Sequence, residues 1–247
     1  ILRFEDRETG DCTVQPHFDY PHAYLADLPS KLTATGVGRG YRADEAAEQT
    51  PPPRKEVQLR APLFEQGEKK LTPAEIGTAH HLFMQFCDFD AACAPNGVEN
   101  ELNRLAEKKI LSTEQAHAVD KRKIERFFAS DLYKTFMAEN KVRREFKFSV
   151  LVPAQAYFLV AADAPEENVL LQGVIDCLIE TRDGFVILDF KTDRIKKGGA
   201  VERAEQYRPQ LAAYARAVHE IYGRPVRACV LYFFHPGDPE WVSLDED

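Results

Sequence analysis

Two stretches decide how this chain is read: Gly173-Val174-Ile175-Asp176 and, beyond a turn, Leu188-Asp189-Phe190-Lys191-Thr192-Asp193. Each sets ionisable side chains in an apolar run that otherwise reads as buried β-strand, and charge is buried only with a compensating partner. Asp183-Gly184 between them is a hairpin signal, so residues 170–180 and 185–193 are expected to run antiparallel. With Asp183 and Gly184 as the central turn residues, Arg182 faces Phe185, Asp176 faces Lys191, and Asp189 lies on the diagonal of the same face. The arrangement depends on register, because a loop one residue longer or shorter sends Asp176 to the other face.

Two carboxylates on rigid strands, short of protein donors, suit a hard divalent cation such as Mg²⁺ or Mn²⁺. A lysine beside them adds a fixed positive charge. The combination fits phosphodiester hydrolysis, in which the metal activates water and screens the phosphate while the lysine orients the nucleophile or offsets developing charge. The plainer alternative is an exposed hairpin carrying a cross-strand Asp–Lys ion pair.

The 247 residues suffice for one or two domains, and 44% hydrophobic with 29% charged residues describes an ordinary globular chain. No apolar run is long enough to span a bilayer, which argues against a membrane protein. The chain begins at Ile1, without a methionine or a basic-then-apolar leader, so it is expected to be a piece of a larger protein with no signal peptide. Cys12, Cys87, Cys93, Cys177 and Cys229 form neither a C-x-x-C nor an even framework, which fits a reducing cytosol and no iron–sulfur cluster. A net charge of −8 argues against a protein that coats nucleic acid by charge alone. Residues 191–208 are locally basic, however: Lys191, Arg194, Lys196, Lys197, Arg203 and Arg208 stand against Asp193, Glu202 and Glu205. That stretch could track phosphates or be a solvated loop.

Residues 1–57 read as a lead and linker, ending in the triple proline Pro51-Pro52-Pro53, with no catalytic chemistry of their own. The remainder, 58–247, reads as one domain with a helical part over 72–140 and a sheet with a closing helix over 145–247. Thr72-Pro73-Ala74-Glu75 is a helix start, with Thr72 as N-cap and Glu75 closing a capping box, and a helix follows over 73–88. Further helices are expected over 101–109, 112–126 and 127–140. From Glu145 the period becomes two, with Phe146, Phe148, Val150 and Val152 alternating; residues 157–161 extend or bend this strand. Residues 204–222 are helical and stop at Gly223. Pro209 requires a start near Glu205 or a separate piece over 201–206. A dense apolar run over 227–234 is a buried strand. The order describes an α/β fold with a mixed sheet flanked by helices.

Asp176 followed by Asp189-Phe190-Lys191 resembles the D…(D/E)-x-K pattern of the PD-(D/E)XK nuclease superfamily, with its restriction-endonuclease-like core. Four further stretches join it in order. These are Leu71-Thr72-Pro73-Ala74-Glu75-Ile76-Gly77-Thr78-Ala79-His80-His81, Arg144-Glu145-Phe146, Gln172-Gly173-Val174-Ile175-Asp176, and Tyr207-Arg208-Pro209-Gln210-Leu211-Ala212-Ala213-Tyr214. Together they are similar to the RecB-type nuclease domain, and within that group to the C-terminal domain of the AddA family of bacterial helicase–nucleases, over residues 30–241.

The resemblance implies a divalent-metal-dependent DNA exonuclease domain acting in double-strand break repair in the bacterial cytoplasm. Its partners would be DNA, a helicase region elsewhere in the parent chain, and an AddB-type subunit. It also implies ligation of Mg²⁺ or Mn²⁺ by Asp176, Asp189, the main-chain carbonyl of Phe190 and His81. Spacing alone does not separate His80 from His81; the family pattern selects His81. Lys191 acts in catalysis, with Gln210 near it and Tyr207 near the DNA. Glu145 and Tyr214 stand behind them, and Arg194, Lys196, Lys197, Arg203 and Arg208 are candidates for DNA contact. Gly77 lets its helix approach the sheet. Thr192 and Asp193 shape the strand end, with Asp193 pairing with Arg194 or Arg203. No G-x-x-x-x-G-K-[ST] stretch is present, so any ATP-driven motor lies elsewhere. A catalytically silent DNA- or subunit-binding module, or a free-standing repair nuclease, are the alternatives.

Overall fold

The computed structural model describes residues 25, 28–37, 71–158, 167–196 and 198–244. The capping box at Thr72 forms as the residue types require: the Thr72 N–H donates to Glu75 Oε2 at 2.7 Å and the Glu75 N–H to Thr72 Oγ1 at 3.3 Å. Helix α1, Pro73–Phe86, runs from it. Short helix α2 (Phe89–Ala92), α3 (Gly97–Glu107), α4 (Thr113–Ala118) and α5 (Lys121–Ala129) follow, then a π-helical segment at Leu132–Met137. The single helix expected over 112–126 is broken at Val119 and Asp120, where the Asp120 N–H leaves the helix to donate to His80 Nε2 at 3.2 Å. The helix expected over 127–140 is likewise replaced by the end of α5 and the π-helical segment.

Six strands form one mixed sheet: β1 (Lys31–Thr33), β2 (Lys141–Pro153), β3 (Asn168–Thr181), β4 (Gly184–Lys191), β5 (Val226–Phe233) and β6 (Asp238–Val242). β2 pairs antiparallel with β3 over nearly its whole length. The opposite edge of β3 is shared, with β1 parallel at Leu170–Gln172 and β4 antiparallel from Cys177 onward. The sheet is therefore split beside residues 173–176 of β3. β5 is parallel to β4, and β6 closes the far edge antiparallel to β5. A stretch as short as β1 carries no readable period, so residues 1–57 read as lead and linker only; in fact Leu32 and Ala34 are buried in the core. The triple proline lies outside the described residues.

The hairpin differs from expectation by one residue. Thr181 pairs with Gly184, so Arg182 and Asp183 are the central turn residues. Gly184 takes a φ of 151°, and a Cβ there would sit 2.3 Å from the Pro225 carbonyl oxygen, so the position requires glycine. With the register shifted by two in pairing, Asp176 falls opposite Asp189 rather than Lys191, just beyond the last pair, Cys177–Leu188.

Two helical layers cover the sheet. On one face α1, α3 and α5 pack Phe83, Leu105, Ile124 and Phe127 against Leu188, Phe190 and Tyr232. On the other, α7 (Arg208–Tyr222) packs Leu211, Tyr214 and Val218 against Ile187, Leu231 and Phe233. α6 (Ala200–Glu205) precedes it, separated at Gln206 and Tyr207, because Pro209 is tolerated only within the first turn of a new helix. Among the described residues no helix is long and apolar enough to cross a membrane.

Candidate active site

The strands that carry the acidic residues change face at one row. Val142 and Cys177 belong to the core under α1, yet Phe146 and Ile175 belong to the core under α7. Residues two apart on a regular strand share a face, so alternation breaks between the pairs Arg144–Cys177 and Phe146–Ile175. The break falls on Glu145 and Asp176. Glu145 takes a φ of 49°, a left-handed conformation costly for a side-chain-bearing residue and held here by the ladders on either side. Expected to open its strand, Glu145 is instead an interior kink, brought level with Asp176. Burial, followed by the nearby Asp176 charge, raises its carboxyl pKa.

Asp176 sits in the split of the sheet. Its Oδ2 accepts from the Phe190 N–H at 2.7 Å and lies 3.6 Å from His81 Nδ1, presented by α1. N–H and C=O of one strand residue point the same way, so the Phe190 carbonyl faces the same side as the N–H that meets Asp176. Burial disfavours the His81 imidazolium, but the Asp176 carboxylate more than offsets this and raises the pKa. His80 is a different kind of residue: it is buried, its Nδ1 lies 2.8 Å from the Ile76 carbonyl oxygen, and its Nε2 accepts from Asp120. Both ring nitrogens are spent on structure. Gly77, one turn before His81, permits the approach of α1 to the end of β4, since a Cβ there would stand 2.8 Å from Thr192 Oγ1.

Asp189 is 3% exposed. Lys191 Nζ lies 2.5 Å from its Oδ2, an ion pair whose angles fall outside those of a regular hydrogen bond. Burial raises the Asp189 pKa, opposed by Lys191 and reinforced by Asp176. The Lys191 ammonium is also 3.4 Å from Gln210 Oε1 and 4.1 Å from the centroid of the Tyr207 ring. Gln210 in turn donates to the Tyr214 hydroxyl at 2.7 Å. Asp193 resolves its choice in favour of Arg203, whose Nε is 3.1 Å from Oδ1, and it also accepts from the Tyr207 hydroxyl at 2.8 Å.

The structure thus brings together His81, Glu145, Asp176, Asp189, Lys191, Tyr207, Gln210 and Tyr214. The basic candidates divide. Arg203 is held by Asp193 and Gln206, and Arg208 by Glu205 and the Ser243 carbonyl, whereas Arg194 and Lys196 are exposed. Lys197 lies outside the described residues. Lys123 shares a cavity of about 370 Å³ with Gly77, His80, Thr192 and Arg194; only tertiary packing places it there.

The donor set suits a hard cation: a buried carboxylate, a second carboxylate, a main-chain carbonyl and an imidazole. Among the described residues no three His, Cys, Asp or Glu side chains are grouped closely enough to hold a metal ion by themselves. Ligation here would rely on the Phe190 carbonyl and water to complete the shell.

The chain is 40% identical over 239 residues to an ATP-dependent helicase/nuclease subunit of Moorella thermoacetica, covering 93% of this chain and 17% of that protein. It is 38% identical over 223 residues to the protein of the same name from Desulforamulus reducens, covering 89% and 18%. For that of Thermoanaerobacter sp. strain X514 the figures are 33% over 226 residues, 90% and 18%. The chain therefore spans less than a fifth of the length of these curated relatives. The family model of the PD-(D/E)XK nuclease superfamily matches residues 54–244, which include every strand from β2 to β6 and both helices that face the site; the chain belongs to that superfamily.

Proposed function

We propose that this chain is the divalent-metal-dependent DNA nuclease domain of a helicase–nuclease that processes broken DNA ends as an exonuclease, with the ATP-driven motor elsewhere in the parent chain and a partner protein of AddB type. The observation that carries the reading is the meeting of Asp176, Asp189 and Lys191 where the sheet splits beside β3. Charge concentrated at a sheet opening, where the buried Asp189 carboxylate has the Lys191 ammonium as its close charged neighbour, is costly to fold and points to a site.

Asp176, Asp189, the Phe190 carbonyl and His81 would hold Mg²⁺ or Mn²⁺, which supplies charge screening at the phosphate and a more acidic water. Lys191, steadied by Gln210 and Tyr207, places a positive charge where negative charge develops as the phosphodiester bond breaks. Arg194, Lys196 and Lys123 would meet phosphates of the strand.

Incubation of the domain with end-labelled single- and double-stranded DNA, with Mg²⁺, with Mn²⁺ and with EDTA, tests the reading. Cleavage with either metal and none with EDTA is expected. Absence of cleavage with both metals, from folded protein, would point to a silent binding module. Addition of ATP, the parent helicase and its AddB-type partner should raise degradation well above that of the domain alone; equal rates would favour a free-standing nuclease.

A further inference from the structure

Tyr207 stands in the break between α6 and α7, where its main chain bonds to Ala204 and Leu211. Those bonds fix the Cα, while the direction of the ring is left to its side-chain contacts. At its far end the hydroxyl donates to Asp193 Oδ2 at 2.8 Å, and Arg203 clamps the other carboxylate oxygen of Asp193 through Nε at 3.1 Å and a second nitrogen at 2.5 Å. The face of the same ring lies against the Lys191 ammonium, 4.1 Å from the centroid. Lys191 has two further polar neighbours, Asp189 and Gln210, and the ring is its third.

We propose that Asp193 is a positioning residue: by anchoring the Tyr207 hydroxyl it holds the tyrosine ring against the Lys191 ammonium and keeps that ammonium beside Asp189 in the orientation cleavage requires. The inference rests on the nuclease reading above and goes beyond it, since no hydrogen bond joins Asp193 to Asp176 or Asp189 and its hydrogen-bonded link toward Lys191 runs through Tyr207. A simpler role is available to the same carboxylate, that of pinning α6 to the end of β4 through Arg203. The two roles differ in what Asn at position 193 can replace. Its amide oxygen still accepts from a tyrosine hydroxyl, while its charge for Arg203 is gone.

The test compares Asp193→Ala, Asp193→Asn, Tyr207→Phe and the double variant Asp193→Ala with Tyr207→Phe. Cleavage of one DNA substrate at saturating Mn²⁺ is measured together with Mn²⁺ affinity and thermal melting. Asp193→Ala should lower kcat by at least about tenfold, with KM and Mn²⁺ affinity near wild type, because small displacements of a catalytic group cost rate rather than binding. Asp193→Asn should keep most of the activity. The double variant should cleave no more slowly than the slower single one, because the tether is already cut. A wild-type rate in folded Tyr207→Phe overturns the inference whatever Asp193→Ala does, and so do losses that multiply independently in the double variant. Wild-type protein that cleaves no DNA with either metal ends the nuclease reading itself; cleaving wild type with unaffected variants ends this inference alone.

Discussion

The Phe190 N–H donates to Asp176 Oδ2 at 2.7 Å, one step beyond the last cross-strand pair of the hairpin. A side chain thus takes the place of the strand carbonyl that would have continued the ladder. The sheet ends its pairing there and hands a main-chain donor to a carboxylate. This holds Asp176 in place without spending its other oxygen, which remains available to a cation.

Asp176→Ala should abolish cleavage and weaken Mn²⁺ binding while leaving a folded protein. Loss of the Phe190 partner should cost about 1–3 kcal/mol of stability. Calorimetric titration with Mn²⁺ checks the assignment, and unchanged affinity in this variant would remove Asp176 from the ligand set.

Lys191→Ala should leave metal affinity intact and lower turnover by about a hundredfold or more. Single-turnover cleavage and Mn²⁺ titration on the same preparation separate the two effects. Wild-type turnover would take the lysine out of the chemistry.

Neighbouring histidines should respond in opposite ways. His80→Ala removes the acceptor for the Asp120 N–H and a partner for the Ile76 carbonyl, so it should destabilise the fold by about 2 kcal/mol. His81→Ala, beside Asp176, should melt near wild type and lose metal affinity and activity. Denaturant melts and Mn²⁺ titrations of both variants decide, and the reverse pattern would exchange their roles.

Glu101 provides a pH test away from the site. This buried carboxylate accepts from Arg104 Nε at 2.7 Å and from the Asp88 N–H at 2.6 Å, and the Arg104 hydrogen bond holds its pKa below the ordinary glutamate value. A depressed folded pKa stabilises above the unfolded pKa, and that contribution disappears as pH falls through the folded value. Glu101→Gln should therefore cost about 2 kcal/mol at neutral pH, with the gap to wild type closing in acid. Urea melts across about pH 3–7 measure it; a gap independent of pH would show that the charge is not what matters.

Gly184→Val should destabilise by at least about 2 kcal/mol, combining an unfavourable backbone angle with a clash on the Pro225 carbonyl. Equilibrium unfolding checks it, and a loss below half that would mean the hairpin relaxes freely.

The sequence by itself determined those features whose partners are near in the chain. The Thr72–Glu75 box, the stop at Gly223, the separate helix demanded by Pro209 and the antiparallel hairpin carrying Asp176 and Asp189 all follow from residue type at short separation. Grouping His81, Lys191 and Gln210 at one site came instead from the resemblance to the nuclease family, because these residues are far apart in the chain and no local pattern links them. Tertiary structure decided the rest. The one-residue shift of the turn depends on Gly184 closing against Pro225, over forty residues on. The kink that brings Glu145 level with Asp176 arises where two strands change cores together, which no period within either strand reveals. β1 entered the sheet from a segment too short to show alternation, and Arg203, one of the basic residues expected to contact DNA, pairs with Asp193 because folding set the two side by side. Short-range chemistry is written in neighbouring residues, whereas the pairing of distant strands and the fate of each charge depend on which surfaces the fold brings into contact.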